Sequence, residues 1–396
     1  MLVARQPIFN AVGDVCAYEL RYRSDELNGS DAATMQLLDT AFMQYGVEEL
    51  TDGQPVFLEF TEHTLVQDLA LLLPPDSVVV ALGPSVRPTD EVIEACDRLA
   101  RRDYRLALDR LTVADARLPF LRLAHAVSVD FLALPEAEIL KLAPLLANTD
   151  ELLAKSIDTQ MLRRFAEKLG FQLFQGDFLA SPDPVDVQEI PVGKFERLRL
   201  LQQINRPEMN LNEVEELLKR DPGLSYRLLM LINSAAVGLR QRVTEIRQAM
   251  VMLGQVGLMR WASVVALKDI GAGRPGALLT DSLFRARYCE LLAQETEFAK
   301  RASECFLMGL FSRMDAITGR PLTDLIEALP LTDAITEALL NGRGDFRAVY
   351  DLAIAHDSAD WQYVSRLAGQ LRIPESKLPG LYQDALRWSA GVSRGS

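Results

Sequence analysis

Hydrophobic positions follow two different rhythms along the chain. In the first half, short apolar runs alternate with amphipathic stretches. The runs 16–22, 56–60, 77–82, 104–108, 126–131 and 171–174 are rich in Val, Leu, Phe and Tyr, as buried or half-buried strands are. Between them, 32–45, 89–102 and 159–169 carry helical periodicity, the last with Asp158 in position to cap it. Strands separated by helices predict βαβ units around a mainly parallel sheet. Their repetition predicts a barrel, an irregular one.

The rhythm then changes. Residues 181–193 hold Pro182, Pro184, Pro191 and Gly193 and break all periodicity, which reads as a linker. Beyond it the pattern is helical throughout. Val214, Leu217 and Leu218 make one apolar face, with Asn212 and Glu215 at capping-box spacing. Asp221-Pro222 places an N-cap before a proline at the first helical position, and Leu224, Leu228, Leu231 and Ile232 follow. Thr244 is placed to cap a helix with Ile246, Ala249, Met250 and Leu253 inward, ending at Gly254. The fold class is therefore α/β plus all-α: a TIM-like barrel over 1–182, a linker over 183–194 and, over 195–396, a helical domain with a C-terminal helical extension.

Composition narrows the class. Of 396 residues, 49% are hydrophobic and 24% charged, an ordinary globular balance. The net charge of −13 argues against broad, sequence-independent nucleic-acid binding. No run approaches the ~20 apolar residues of a membrane span, and the start MLVARQPIFN lacks the regions of a secretory signal. The expectation is a cytoplasmic protein without membrane insertion. Cys16, Cys96, Cys289 and Cys305 are scattered with no CxxC, so buried free thiols are expected.

In a βα barrel, functional groups sit at the C-terminal ends of strands. Glu19, Glu59, Asp109, Asp130 and Asp158 fall near such positions, as does Gln175. Carboxylates converging from separate strands suit a divalent cation, and two such ions would activate water against a phosphodiester. The competing reading is that these acids cap helices or pair with cations. Arg110 beside Asp109 and Lys155 before Asp158 favour that second reading.

The stretch Arg5-Gln6-Pro7-Ile8-Phe9-Asn10, with Gly13 and Ala17-Tyr18-Glu19-Leu20-Arg21-Tyr22-Arg23, resembles the opening of the EAL domain. Gly170-Phe171-Gln172-Leu173-Phe174-Gln175-Gly176 with Pro182 resembles its closing motif. Ala107-Leu108-Asp109-Arg110 and Ser128-Val129-Asp130 extend the likeness. EAL domains are barrel phosphodiesterases that cleave cyclic di-GMP with Mg or Mn. On that resemblance Glu19, Asp158 and Gln175 keep the family's functional positions. Glu59 stands at an asparagine ligand, Ala81 near a glutamate, Arg110 at the second of two aspartates, Ser128 at the water-positioning lysine and Lys155 at another acid. The resemblance also implies that Gln6 and Arg23 contact guanine and phosphate. It thus implies a degenerate barrel with no catalytic residue and no metal, keeping at most a ligand pocket of Gln6, Glu19, Arg23, Asp109, Asp130, Asp158 and Gln175.

In the second half, Asp221-Pro222-Gly223-Leu224 through Leu228-Leu229, then Ile232-Asn233-Ser234-Ala235 and Ile246, Ala249, Leu253-Gly254, resembles the HDOD domain. That family has an HD-like helical fold and generally lacks its metal-binding set. His356-Asp357 is the only HD dipeptide here, and it reads as a solvent-facing helix end. Asn233 and Ser234 read as caps, and Trp361 and Trp388 as packing anchors.

These readings converge on a non-catalytic bacterial signalling protein that works through protein–protein contacts, with no cofactor and unidentified signalling proteins as partners. The alternative is a sensor that binds cyclic di-GMP without cleaving it. A third reading is a phosphodiesterase, which alone would call for Mg or Mn. Homodimerisation stays open.

Overall fold

The computed structural model describes residues 2–23, 50–180, 204, 209–233, 243–328 and 331–394. Packing divides the chain into two compact units. One is Met1–Ser181 with Pro275–Ala277 and Asp351–Ser396; the other is Pro182–Arg274 with Leu278–Tyr350.

The first unit is built on a closed eight-stranded barrel. Its strands are β1 (Leu2–Phe9), β2 (Val15–Arg23), β3 (Val56–Phe60), β4 (Val78–Leu82), β5 (Arg105–Leu108), β6 (Ala126–Asp130), β7 (Glu151–Lys155) and β8 (Leu173–Phe174). From β2 to β8 each neighbouring pair is parallel. β1 runs antiparallel to both β2 and β8 and closes the ring. The short link between β1 and β2 explains the reversal, because a parallel crossover needs roughly a dozen residues or more. Asn10 builds that turn: its Oδ1 accepts from the backbone N–H of Val12, Gly13 and Asp14.

Six of the strands coincide with the predicted runs. β1 and β7 were not predicted. Pro7 inside β1 and the charged ends of β7 disguise them. Side chains fill the barrel: Ile8, Ala17, Phe57, Val79, Ala81, Ala107, Ala126 and Leu153 form one buried cluster. The interior is a packed core rather than a pore. The helices Asp90–Ala100 and Gln160–Lys168 follow the predicted pattern, each capped by a threonine, Thr89 and Thr159. Asp158 is not the cap. The expected helix 32–45 and the linker 183–194 lie outside the described residues.

Residues from Asp351 onward, within the helical domain and extension expected over 195–396, belong to the barrel's unit. Named contacts hold them there. The Arg5 N–H donates to Tyr382 Oη at 3.3 Å. Arg23 reaches Ser365 Oγ at 2.6 Å and Glu375 Oε2 at 2.7 Å. His356, expected to face solvent, is fully buried, its ring 4.5 Å from that of Tyr382. Burial pushes its pKa down to about 3, against a hydrogen bond to the Val3 backbone.

The second unit is helical. Leu211–Arg220 is capped by Asn210 rather than Asn212. Asp221 caps Pro222–Ile232, its Oδ1 accepting from Gly223 and Leu224 N–H. Asn233 ends that helix and clamps Val243 through both its N–H and its carbonyl; Ser234 lies outside the described residues. Ile246–Ile270 starts after Glu245, not Thr244. Gly254 breaks it with φ 67, a conformation that favours glycine, so the predicted end is a kink with a second helix beyond. Among the described residues this helix alone is long and apolar enough to cross a membrane, and 56% of its apolar window is buried inside the protein. Of the four thiols, Cys96, Cys289 and Cys305 are buried and Cys16 is half-buried.

Candidate functional site at the barrel mouth

Residues at strand C-termini share one rim in a barrel of parallel strands. Here Glu19 of β2, Glu59 of β3, Ala81 of β4, Ser128 of β6 and Lys155 of β7 line one pocket with Asp109 and Arg110, just beyond β5. Lys155 is the hub. Its Nζ donates to Asp109 Oδ1 at 2.6 Å and to Glu19 Oε1 at 3.0 Å. Ser128 Oγ donates to the same Asp109 oxygen at 2.6 Å and accepts from the Arg110 N–H at 2.7 Å. Arg110 donates through Nε to Asp109 Oδ2 at 2.9 Å and through Nη2 to Glu59 Oε2 at 3.3 Å. Gln175 Nε2 completes the set, 2.7 Å from Glu19 Oε2.

The backbone around this cluster is fixed from beneath. Arg117, only 1% exposed, donates to the carbonyls of Leu82 at 2.6 Å and Asp109 at 2.9 Å, while Asp115 neutralises it. It thereby ties the end of β4 to the end of β5. At Gly176 (φ 146) a Cβ would stand 2.2 Å from the Ile157 carbonyl oxygen. Only glycine lets the chain pass there and leave Gln175 facing Glu19.

Charge balance sets the protonation states. Burial works against the charged form of Glu19, but the Lys155 ammonium, with Arg21 and Gln175, holds its carboxyl below the usual range. Burial likewise opposes Asp109 ionisation, and Lys155, Arg110 and Ser128 overcome it. The two carboxylates keep Lys155 protonated despite its burial. Glu59 differs: burial, then the Asp109 charge, push its carboxyl up, with Arg110 opposing. Arg110 and Arg21 are the half-exposed cations of the rim.

Of the candidate acids and amides singled out in the sequence, Glu19, Glu59, Asp109 and Gln175 come together in this cluster. Gln6 lies opposite Glu19 in the β1–β2 register but does not line the pocket. Arg23 is committed to Ser365 and Glu375 instead of the pocket. Asp130 caps its own turn, accepting from Leu132 and Ala133 N–H. Asp158 is exposed and accepts from Asp177 N–H at 3.3 Å. Trp361, expected to be a packing anchor, lines the pocket, and Arg117 was not singled out. Nothing local links either residue to the strand ends.

A divalent ion at this rim would need open carboxylate oxygens. Lys155 and Arg110 engage both oxygens of Asp109, Lys155 and Gln175 engage both of Glu19, and position 81 offers none. Among the described residues no group of three or more His, Cys, Asp or Glu is arranged to hold a metal ion. The residues present do not fit Mg or Mn.

The profile of the HDOD domain matches residues 196–318. The whole chain aligns with a Vibrio cholerae protein named cyclic di-GMP phosphodiesterase CdgJ, 30% identical over 401 positions, 99% of this chain and 93% of the relative. The chain belongs to this HDOD-containing family. A second member, the uncharacterized protein YuxH of Bacillus subtilis, is 31% identical over 98% of both chains. Among solved structures, the manganese and cyclic di-GMP complex of Klebsiella pneumoniae BlrP1 is 20% identical, covering 44% of this chain and 54% of that one, TM-score 0.36. The EAL domain of Mycobacterium smegmatis DcpA is 16% identical, covering 44% of this chain and 89% of that one, TM-score 0.36. The barrel assignment rests on strand pairing, not on these scores. Family membership corrects one expectation: the absence of enzymatic activity is overturned by a full-length member named as a phosphodiesterase.

Proposed function

We propose that the chain is a cyclic di-GMP phosphodiesterase in a signalling pathway and that its reaction site is the barrel mouth. The observation that carries this is the pocket itself: Glu59 and the half-exposed Arg110 and Arg21 open onto it above the Lys155-centred cluster. The full-length likeness to a named phosphodiesterase supports the substrate class. Arg110 and Arg21 receive the phosphodiester oxygens, for which guanidinium groups are suited. Glu59 takes a proton from a water molecule that attacks phosphorus. The bond from phosphorus to one ribose oxygen breaks, and that oxygen recovers the proton from Glu59. Glu19, Asp109 and Lys155 hold Arg110 and the rim in place.

The test is turnover of cyclic di-GMP by the full-length protein, followed chromatographically as the opened dinucleotide. Glu59→Gln and Arg110→Ala should each lower turnover on the order of 10²-fold, whereas Arg23→Ala should leave it unchanged. Binding without product, or product formation indifferent to both rim variants, would overturn the reading.

A further inference from the structure

We infer that the Lys155 ammonium is a resident cation of the barrel mouth, built into the place where converging carboxylates would otherwise collect a divalent ion. The side chain is 5% exposed and ends between two carboxylates that arrive from different strands, at 2.6 Å and 3.0 Å. A buried ammonium with two carboxylate partners is a paired charge, and removing it leaves two anions facing each other at low dielectric. Ser128 and Gln175 complete the polar contacts of the acids, so the cluster closes on itself without a metal. Arg110 adds a second fixed positive charge at the same rim. Electrostatic repulsion from both cations and the engaged carboxylate oxygens oppose entry of a divalent ion. Deleting the ammonium should reverse this: Glu19 and Asp109 would become an oxygen-ligand pair with an unmet charge.

Manganese binding tests the inference without reference to turnover. Free Mn2+ is followed by its paramagnetic resonance signal as full-length protein is titrated. The wild type should leave the signal unchanged at tens of micromolar metal. Lys155→Ala should acquire one Mn2+ site at least tenfold tighter, lost again when Asp109→Asn is added. Mn2+ should also raise the Tm of Lys155→Ala but not of the wild type. The wild-type titration stands even if Lys155→Ala folds poorly. One equivalent of Mn2+ taken up by the wild type and released by Glu19→Gln would overturn the inference, as would a folded Lys155→Ala binding no better than the wild type. The extension to catalysis, turnover that survives chelation, rests on the proposed function. Its failure alongside an inert wild-type titration would count against that function and not against the resident cation.

Discussion

At the barrel mouth, Glu19 and Asp109 share the ammonium of Lys155, and these partners are far apart in the chain. In the helical unit, Glu290 lies between Arg260 and Arg287, and Asp281 between Arg285 and Arg313. There, one partner of each acid is three or four residues away on the same helix, and the other comes from a neighbouring element. Arg260 also stacks on Phe306, 5.6 Å from the ring centroid. The first arrangement exists only because a barrel closes; the second is largely written into helical spacing and staples helices together. Buried ion pairs alone therefore do not mark a site. Convergence from several strands onto one pocket does.

The largest effect of a single substitution is expected at Glu290, which is 1% exposed. Glu290→Ala leaves two guanidinium groups without their buried partner and should cost about 3–5 kcal/mol in urea unfolding. Mn2+ should not restore it, in contrast to Lys155→Ala. A loss under about 1 kcal/mol would remove the structural role assigned to that cluster.

Acid should next separate the barrel's unit from the helical one. His356 has its pKa depressed from 6.5 to about 3 in the fold, so its contribution is present above pH 6.5 and lost as pH falls toward 3. The loss should reach about 4–5 kcal/mol. The depressed Glu19 and Asp109 act in the same direction, giving up stability as pH falls below their unfolded values of 4.5 and 3.8. The raised Glu59 acts oppositely, its contribution present below 4.5 and lost as pH rises through its folded value. His356→Phe should flatten the limb between pH 6.5 and 5, above the carboxylate range; an unchanged limb in denaturant titrations would discount the buried imidazole.

Gly176→Ala should cost about 2–3 kcal/mol and lower turnover through misplacement of Gln175, because its Cβ meets backbone rather than a yielding side chain. Full stability with normal turnover would show that the Gln175 contact does not matter. The smallest effect is expected at Glu375→Ala. Its bridge to Arg23 is about one-third to two-fifths exposed, and it should cost no more than about 1 kcal/mol.

What the sequence revealed follows the same division. Strand 56–60, the Asp221 cap and the acids Glu19 and Asp109 were legible, because alternation, capping chemistry and strand-end position are local signals. β7 was not, since Glu151 and Lys155 frame its short apolar centre. The partners of Arg23 and the burial of His356 were hidden because Glu375, Ser365 and Tyr382 meet them only through packing of distant segments. Arg117 carries no local signal of its place as the fully buried tie beneath Asp109.

The most direct measurement is the rate of cyclic di-GMP opening by the full-length protein in excess chelator, compared with the rate in added Mn2+. The same product should form at the same rate in both, and Arg110→Ala should lower that rate on the order of 10²-fold in both. A rate that vanishes in chelator and returns with Mn2+, or no product under either condition, would contradict it.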